Sequence, residues 1–253
     1  MSNWTAVFDE LDLWSEAGKT AKFWWRDDDA VTTTPQLSRL LDLQDQASVP
    51  LTLAVIPAFA DAKLGQIAKE AKQLSIALHG YSHTNHAPKD EKKRELGLHR
   101  DSNIVLGQLK DGSQKLTELF PGTYNSALVP PWNRIDQELI ANLPALGLSV
   151  LSTFQPRSTL NPVPGLTQVN CHLDPIDWHG SRSLVSLEKI LAITLDLLKW
   201  QRTGTIDADE PLGLLTHHLV HDDAIWSFVD NFVKKLKNHP SVNFVNGLEA
   251  SSS

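Results

Sequence analysis

Short, uninterrupted apolar runs recur along this chain, each followed by a stretch of helical period. That alternation constrains the fold more than any other feature. The runs are Ala21–Trp25 (AKFWW), Pro50–Ile56 (PLTLAVI), Ser75–Leu78, Ser126–Val129, Leu148–Phe154, Thr167–Asn170, Leu212–Thr216 and Val242–Val245. Strands with one solvated face alternate polar and apolar residues, and these do not. Both faces must therefore be covered, as in a parallel sheet flanked by helices. Leu37–Ala47, Asp61–Leu74, Asp136–Leu146, Ser183–Trp200 and Asp223–Lys237 read as helices. Lys89 to Phe120 reads as a long charged helical region, interrupted near Asp111-Gly112. Pro35 suits a first helical turn, Asp136 a cap and Pro144 a stop. The pattern predicts an α/β fold, an incomplete or distorted (β/α) barrel of about seven parallel strands. Asn161–Gly165 (NPVPG) reads as a loop and the terminal SSS as disordered. With 253 residues, no fixed-period repeat and no low-complexity linker, 1–253 reads as one domain.

Charge and cysteine content narrow the function classes. The formal net charge is -7, which disfavours a nucleic acid partner, since phosphate backbones need basic patches. The one dense basic run, KDEKKRELGLHR at 89–100, carries acids among its bases and reads as a solvated helix face. Cys171 is the only cysteine, so no internal disulfide can form. The N-terminal segment is acidic and amphipathic, without the basic start and apolar core of a secretion signal. No run approaches the length of a membrane span. The expectation is a cytoplasmic protein without a membrane partner. The chain carries no signal for oligomeric state.

In a barrel of this kind the active site forms at the C-terminal ends of the strands. The residues that follow each run are notably polar. RDDDA follows KFWW, HGYSHTNH follows SIAL, and PPWNR follows SALV. CHLDPIDWHG follows LTQVN, and HHLVHDD follows LGLLT. Three of these stretches hold eight of the ten histidines, at 79, 83, 86, 172, 179, 217, 218 and 221. Each piece alone has a bland explanation as a cap, a turn or a polar strand end. Their appearance at the same end of successive strands does not. One carboxylate and two imidazoles make a three-ligand open site for zinc or a similar divalent ion. His79 and His83 can share a metal if the Gly80 turn brings His83 round. No glutamate follows His79, so this is not the helical zincin arrangement.

These stretches, from Trp25 to about His218, resemble the NodB-type polysaccharide deacetylases, the family 4 carbohydrate esterases and their relatives. All five short motifs of that family are represented in order. The resemblance implies an incomplete (β/α) barrel and hydrolysis of an amide, most often an N-acetyl group on an amino sugar. In the first motif a leading aspartate is the base and the next binds metal. The register Asp28-Asp29-Ala30 makes Asp28 the base and Asp29 the ligand; the other makes Asp27 the base and Asp28 the ligand. The second motif, HGYSH, makes His79 and His83 ligands, with Gly80 where a hydroxyl residue is usual; His86 lies outside it. The third, VPPWNR, departs from the pattern: Val129 stands where an arginine usually orients the base. Arg26 and Arg134 are the candidate replacements, and Pro131 and Trp132 form the adjoining wall. The fourth gives Asp177 as a polar partner and Trp178 as a pocket wall, with His172 and Asp174 just upstream. The fifth, LTH, makes His217 the acid, with His218 the one-residue alternative.

The implied chemistry uses water activated by a divalent metal, with zinc first and cobalt, nickel and manganese sharing such ligands. Asp28 takes the proton of water, a backbone N–H near Pro131–Trp132 supports the oxyanion, and His217 protonates the departing amine. The substrate is an N-acetylated sugar or a related compound. A hydrolase of small linear or cyclic amides is the second reading. A non-catalytic carbohydrate- or metal-binding module is the third, and retention of both a base and an acid candidate argues against it.

Overall fold

The computed structural model describes residues 4–249; the terminal SSS lies outside the described residues. Among the described residues there are eight parallel strands: β1 (Ala21–Ala30), β2 (Leu51–Val55), β3 (Leu74–His79), β4 (Tyr124–Val129), β5 (Val150–Leu151), β6 (Thr167–Gln168), β7 (Leu212–Thr216) and β8 (Val242–Phe244). Seven of them run in the order β6-β5-β4-β3-β2-β1-β7, and β8 pairs with the start of β1. Beyond β5 and β6 the ring closes only through single bridges, Phe154 to Cys171 and Leu173 to Leu214. The predicted incomplete barrel is thus the observed one.

Two apolar layers hold the sheet. The inner one uses small residues, Ala54, Ala77 and Ala127, around the large buried ring of Trp24. The indole N–H of Trp24 donates to Asn170 O at 3.0 Å. Gly213 of β7 lies against that ring, and a Cβ there would collide with the indole nitrogen and with the Asn170–Cys171 backbone. The outer layer packs beneath helices α1 (Trp4–Glu16), α2 (Pro35–Ala47), α3 (Ala62–Glu70), α4 (Ser102–Leu119), α5 (Gln137–Ile140), α6 (Leu187–Thr203) and α7 (Asp223–Lys237). Thr34 caps α2 by accepting from Leu37 N, with Pro35 in its first turn. Asp222 caps α7 in the same way, accepting from Ile225 N. Among the described residues no helix is long and apolar enough to cross a membrane.

Three sequence expectations fail here. Residues 89–101 are not helical; α4 begins only at Ser102, capped by Asp101, and runs unbroken through Gly112. The charged run is also not a solvated face throughout, because Glu95 is 0 % exposed. The helix expected over Asp136–Leu146 shrinks to α5 and one 3-10 turn at Pro144–Leu146. Asp136 is unavailable as its cap: its carboxylate accepts from Arg94 Nη1 and Leu98 N.

Candidate active site

The first constituent is the end of β1. The strand does not stop at Trp25 but runs on through Arg26, Asp27 and Asp28, all buried. Charges survive in a strand core only when paired. Arg26 grips Asp28 with both arms: Nε donates to Oδ1 at 2.9 Å and Nη2 to Oδ2 at 3.1 Å. Its remaining donors reach Ser152 Oγ at 2.7 Å, Ser152 O at 3.2 Å and Asn133 Oδ1 at 2.7 Å. Asp27 turns the other way, accepting from Thr216 Oγ1 at 2.6 Å, His218 N at 3.0 Å and the His218 ring. Burial opposes both charges, yet each partner overcomes it: Asp27 is held below the ordinary carboxylate range and His218 above the ordinary histidine value.

The sheet register slips after Asp27, and Asp29 takes a positive φ of 74°. That twist aims its carboxylate at the end of β3. His79 Nε2 lies 3.1 Å from Asp29 Oδ1, and His83 Nε2 lies 3.4 Å from the same oxygen. The donor atoms of Asp29, His79 and His83 all fall within 4.8 Å of one another, the one such grouping of three among the described residues. His83 is brought round as the Gly80 turn required: Gly80 has φ 56° and His83 φ 55°.

The donor chemistry fits a divalent cation. Nδ1 of His79 is 2.9 Å from the Val129 carbonyl, which can only accept, so Nδ1 carries the proton. Nε2 lies 3.1 Å from the Asp29 carboxylate oxygen, so the pair takes either a proton on Nε2 or a divalent cation in its place; burial opposes the His79 charge, but Asp28 and Asp29 hold its pKa above the ordinary histidine value. Two donors each about 2.1 Å from one ion stand about 3.0–3.4 Å apart for octahedral to tetrahedral angles. The observed 3.1 and 3.4 Å match that range. Burial opposes the Asp29 charge, but the hydrogen bond and charge of His79, with His217 and His83 nearby, hold its carboxyl below the usual range. Burial and the His79 charge push His83 down, favouring the neutral ring a cation needs.

Two tryptophans wall this centre. Trp132 packs on His83 with centroids 4.3 Å apart, and Trp178 meets His217 edge-on at 4.9 Å. Trp132 and Asn133 both have positive φ, 55° and 57°. Asp, Asn and His tolerate that region better than most residues, so the bulky Trp132 is the outlier. Its backbone N–H makes no hydrogen bond among the described residues.

Other expected residues lie elsewhere. Arg134 does not reach Asp28; its Nη1 donates to Lys93 O. Asp177 holds a tight turn, accepting from Ser181 N, while Asp174 takes the Trp178 indole N–H at 2.8 Å. Burial pushes the Asp174 carboxyl up, partly offset by His217. His172 lies inside the barrel wall, where Nδ1 accepts from Gly213 N. Pro131 is buried against Gly80. His86 stands outside the three-donor group. The sequence pattern missed Glu95 altogether. Its carboxylate accepts from Tyr81 N at 3.2 Å, Ser82 N at 2.8 Å and Ser82 Oγ at 3.0 Å. A Cβ on Gly80 would collide with Glu95 and with the Pro131 ring, so the hydroxyl residue usual there has no room.

The half-open parallel barrel and its polar strand ends define a class, the NodB-type polysaccharide deacetylase and family 4 carbohydrate esterase fold. Three solved structures illustrate the likeness. A Mycobacterium smegmatis protein assigned as a polysaccharide deacetylase aligns with TM-score 0.66 and 18% identity, over 93% of this chain and 90% of that one. A peptidoglycan deacetylase from Bacillus subtilis gives TM-score 0.55 and 16% identity, over 92% of both chains. A family 4 acetyl xylan esterase from Clostridium thermocellum, with a cobalt ion, gives 0.54 and 15%, over 91% and 90%. At these identities the likeness is one of fold. No family model matches the sequence, and no curated protein does.

Proposed function

We propose that the whole chain is one catalytic domain, a metal-dependent hydrolase of carbon–nitrogen amide bonds that deacetylates an N-acetylated sugar or a related compound. The observation that carries this is the pairing of the Asp29–His79–His83 group with an adjacent buried carboxylate, Asp28, fixed in orientation by Arg26. Asp29, His79 and His83 would hold the ion, zinc first by ligand type. A divalent cation supplies Lewis acidity for the acyl group and lowers the pKa of water.

The chain's own groups supply the rest. Asp28 accepts the proton of the attacking water, and the two-armed grip of Arg26 fixes which carboxylate lone pairs face it. Asp27 has less freedom: it accepts from Thr216 Oγ1 and His218 N on Oδ2 and from the His218 ring on Oδ1, whereas Asp28 accepts one bond on each oxygen. The unpaired Trp132 N–H is the donor for developing oxyanion charge. His217 delivers a proton to the leaving nitrogen, without which an amide departs poorly. His218 is committed to Asp27, which favours His217 for that task.

The test separates the two aspartate registers. Asp29→Ala should lose the ion, measured as metal per protein chain after zinc loading and desalting. Asp28→Asn should keep the ion and lose hydrolysis of N-acetylated sugars. An ion retained by Asp29→Ala but lost from Asp28→Asn would reverse the assignment.

A further inference from the structure

A cleft of about 430 Å³ is lined by Asn133 and Thr153, both of which accept hydrogen bonds from Arg26. None of Asp28, Asp29, His79, His83 or His217 lines it. Two arginines do, Arg94 and Arg134. Arg94 is half-spent: Nη1 pairs with Asp136 at 2.8 Å, while Nε is buried without a hydrogen-bond partner. Arg134 makes no ion pair among the described residues; its one side-chain bond is Nη1 to Lys93 O. The Lys93 ammonium lies 5.9 Å from the Trp132 ring centroid, over the wall that packs on His83.

The local charge is therefore unbalanced. Asp136 is the one carboxylate that the ion pairs and hydrogen bonds bring to Arg94 and Arg134, and Arg94 already neutralises it. Among the described residues neither Arg134 nor Lys93 makes an ion pair, in a chain of net charge -7. Planar guanidinium donors match a carboxylate better than a neutral hydroxyl. Asn133 links the two regions: it lines the cleft and also holds Arg26, which positions Asp28.

We propose that this cleft binds a carboxylate carried by the substrate, so that the preferred substrates are acidic N-acylated sugars or amides rather than neutral ones. The proposal rests on the hydrolase reading for the word substrate, but the binding site itself does not. Malonate serves as the probe, with the metal-free full chain, so that chelation at Asp29 and the histidines plays no part. Malonate should bind, measured calorimetrically, and bind at least tenfold more weakly to Arg134→Gln. No binding, or equal binding to that variant, overturns the proposal.

In steady-state kinetics, Arg134→Gln should raise KM for a carboxylate-bearing N-acetyl sugar at least tenfold more than for its neutral counterpart. Malonate should compete with the acidic substrate. Equal effects on both substrates, or malonate binding without competition, overturns the substrate assignment. If neither sugar is hydrolysed while malonate binding still depends on Arg134, the anion site stands and the hydrolase reading falls.

Discussion

Replacing Arg26 by methionine tests the most heavily invested contact in the site. Arg26 is 0 % exposed and Asp28 2 %. The variant loses two charge-assisted bonds to Asp28 and the bonds to Ser152 and Asn133. It strands a buried carboxylate without its counter-charge, which costs about 3–5 kcal/mol. For a chain of 253 residues each kcal/mol moves the midpoint by about 2–4 °C. The expected fall in Tm is therefore about 6–20 °C, read by circular dichroism and checked by urea unfolding. Among the molecules still folded, a base displaced by about 1 Å should lower kcat about 100-fold. Arg26→Lys keeps the charge but not the fork and should fall between. In an Asp28→Asn background the Arg26→Met change should cost far less, because no charge is left stranded. A cost below about 1 kcal/mol in the parent, or the same cost in both backgrounds, would refute the idea that this pair organises the site.

Three further outcomes follow from the geometry. His217→Ala should keep the ion and the fold while lowering kcat about 100- to 10,000-fold, and near-normal turnover would move the acid role elsewhere. Glu95→Gln should weaken zinc affinity about 10- to 100-fold by loosening the Tyr81–Ser82 backbone that leads to His83, measured by competition with a chelator. The Asp27–His218 pair should leave a pH signature in stability. Asp27 sits below its ordinary 3.8, so its contribution is present above about pH 4 and is lost as pH falls through the lowered value. His218 sits above 6.5, so its contribution is full below about pH 6.5 and fades as pH rises through the raised value. The urea midpoint of the parent should exceed that of Asp27→Asn most between about pH 4 and 6.5, and a gap independent of pH would contradict the pairing.

Strands buried on both faces are legible because most of their length is apolar. Leu51–Val55, Leu74–His79 and Leu212–Thr216 show this. β1 is legible only as far as Trp25. Beyond it the strand carries four charged residues, tolerable because Arg26, His218 and His79 meet the three carboxylates. The proximity of Asp29, His79 and His83 could be anticipated because strand order carries loops after β1 and β3 to the same end. The Arg26–Asp28 grip was one of two arginine candidates, since side chains two apart on a strand share a face. Glu95 could not be read out. It sits among Lys92, Lys93 and Arg94, and its partners are backbone N–H groups, which leave no mark on sequence.

The left-handed backbone at Asp29, His83, Trp132 and Asn133 bears on any attempt to harden this protein. Trp132 bears the largest cost, about 1–3 kcal/mol relative to relaxed backbone, and Asp29, His83 and Asn133 smaller ones, against a net stability of about 5–15 kcal/mol for an ordinary domain. Glycine at any of the four would relieve the strain, so selection for heat resistance alone would favour replacing these residues. Each replacement would remove a candidate ligand, a wall, or the amide that holds Arg26. Thermostable variants should therefore be sought by screening for turnover and melting temperature together, with mutations steered towards the helices and away from these four positions.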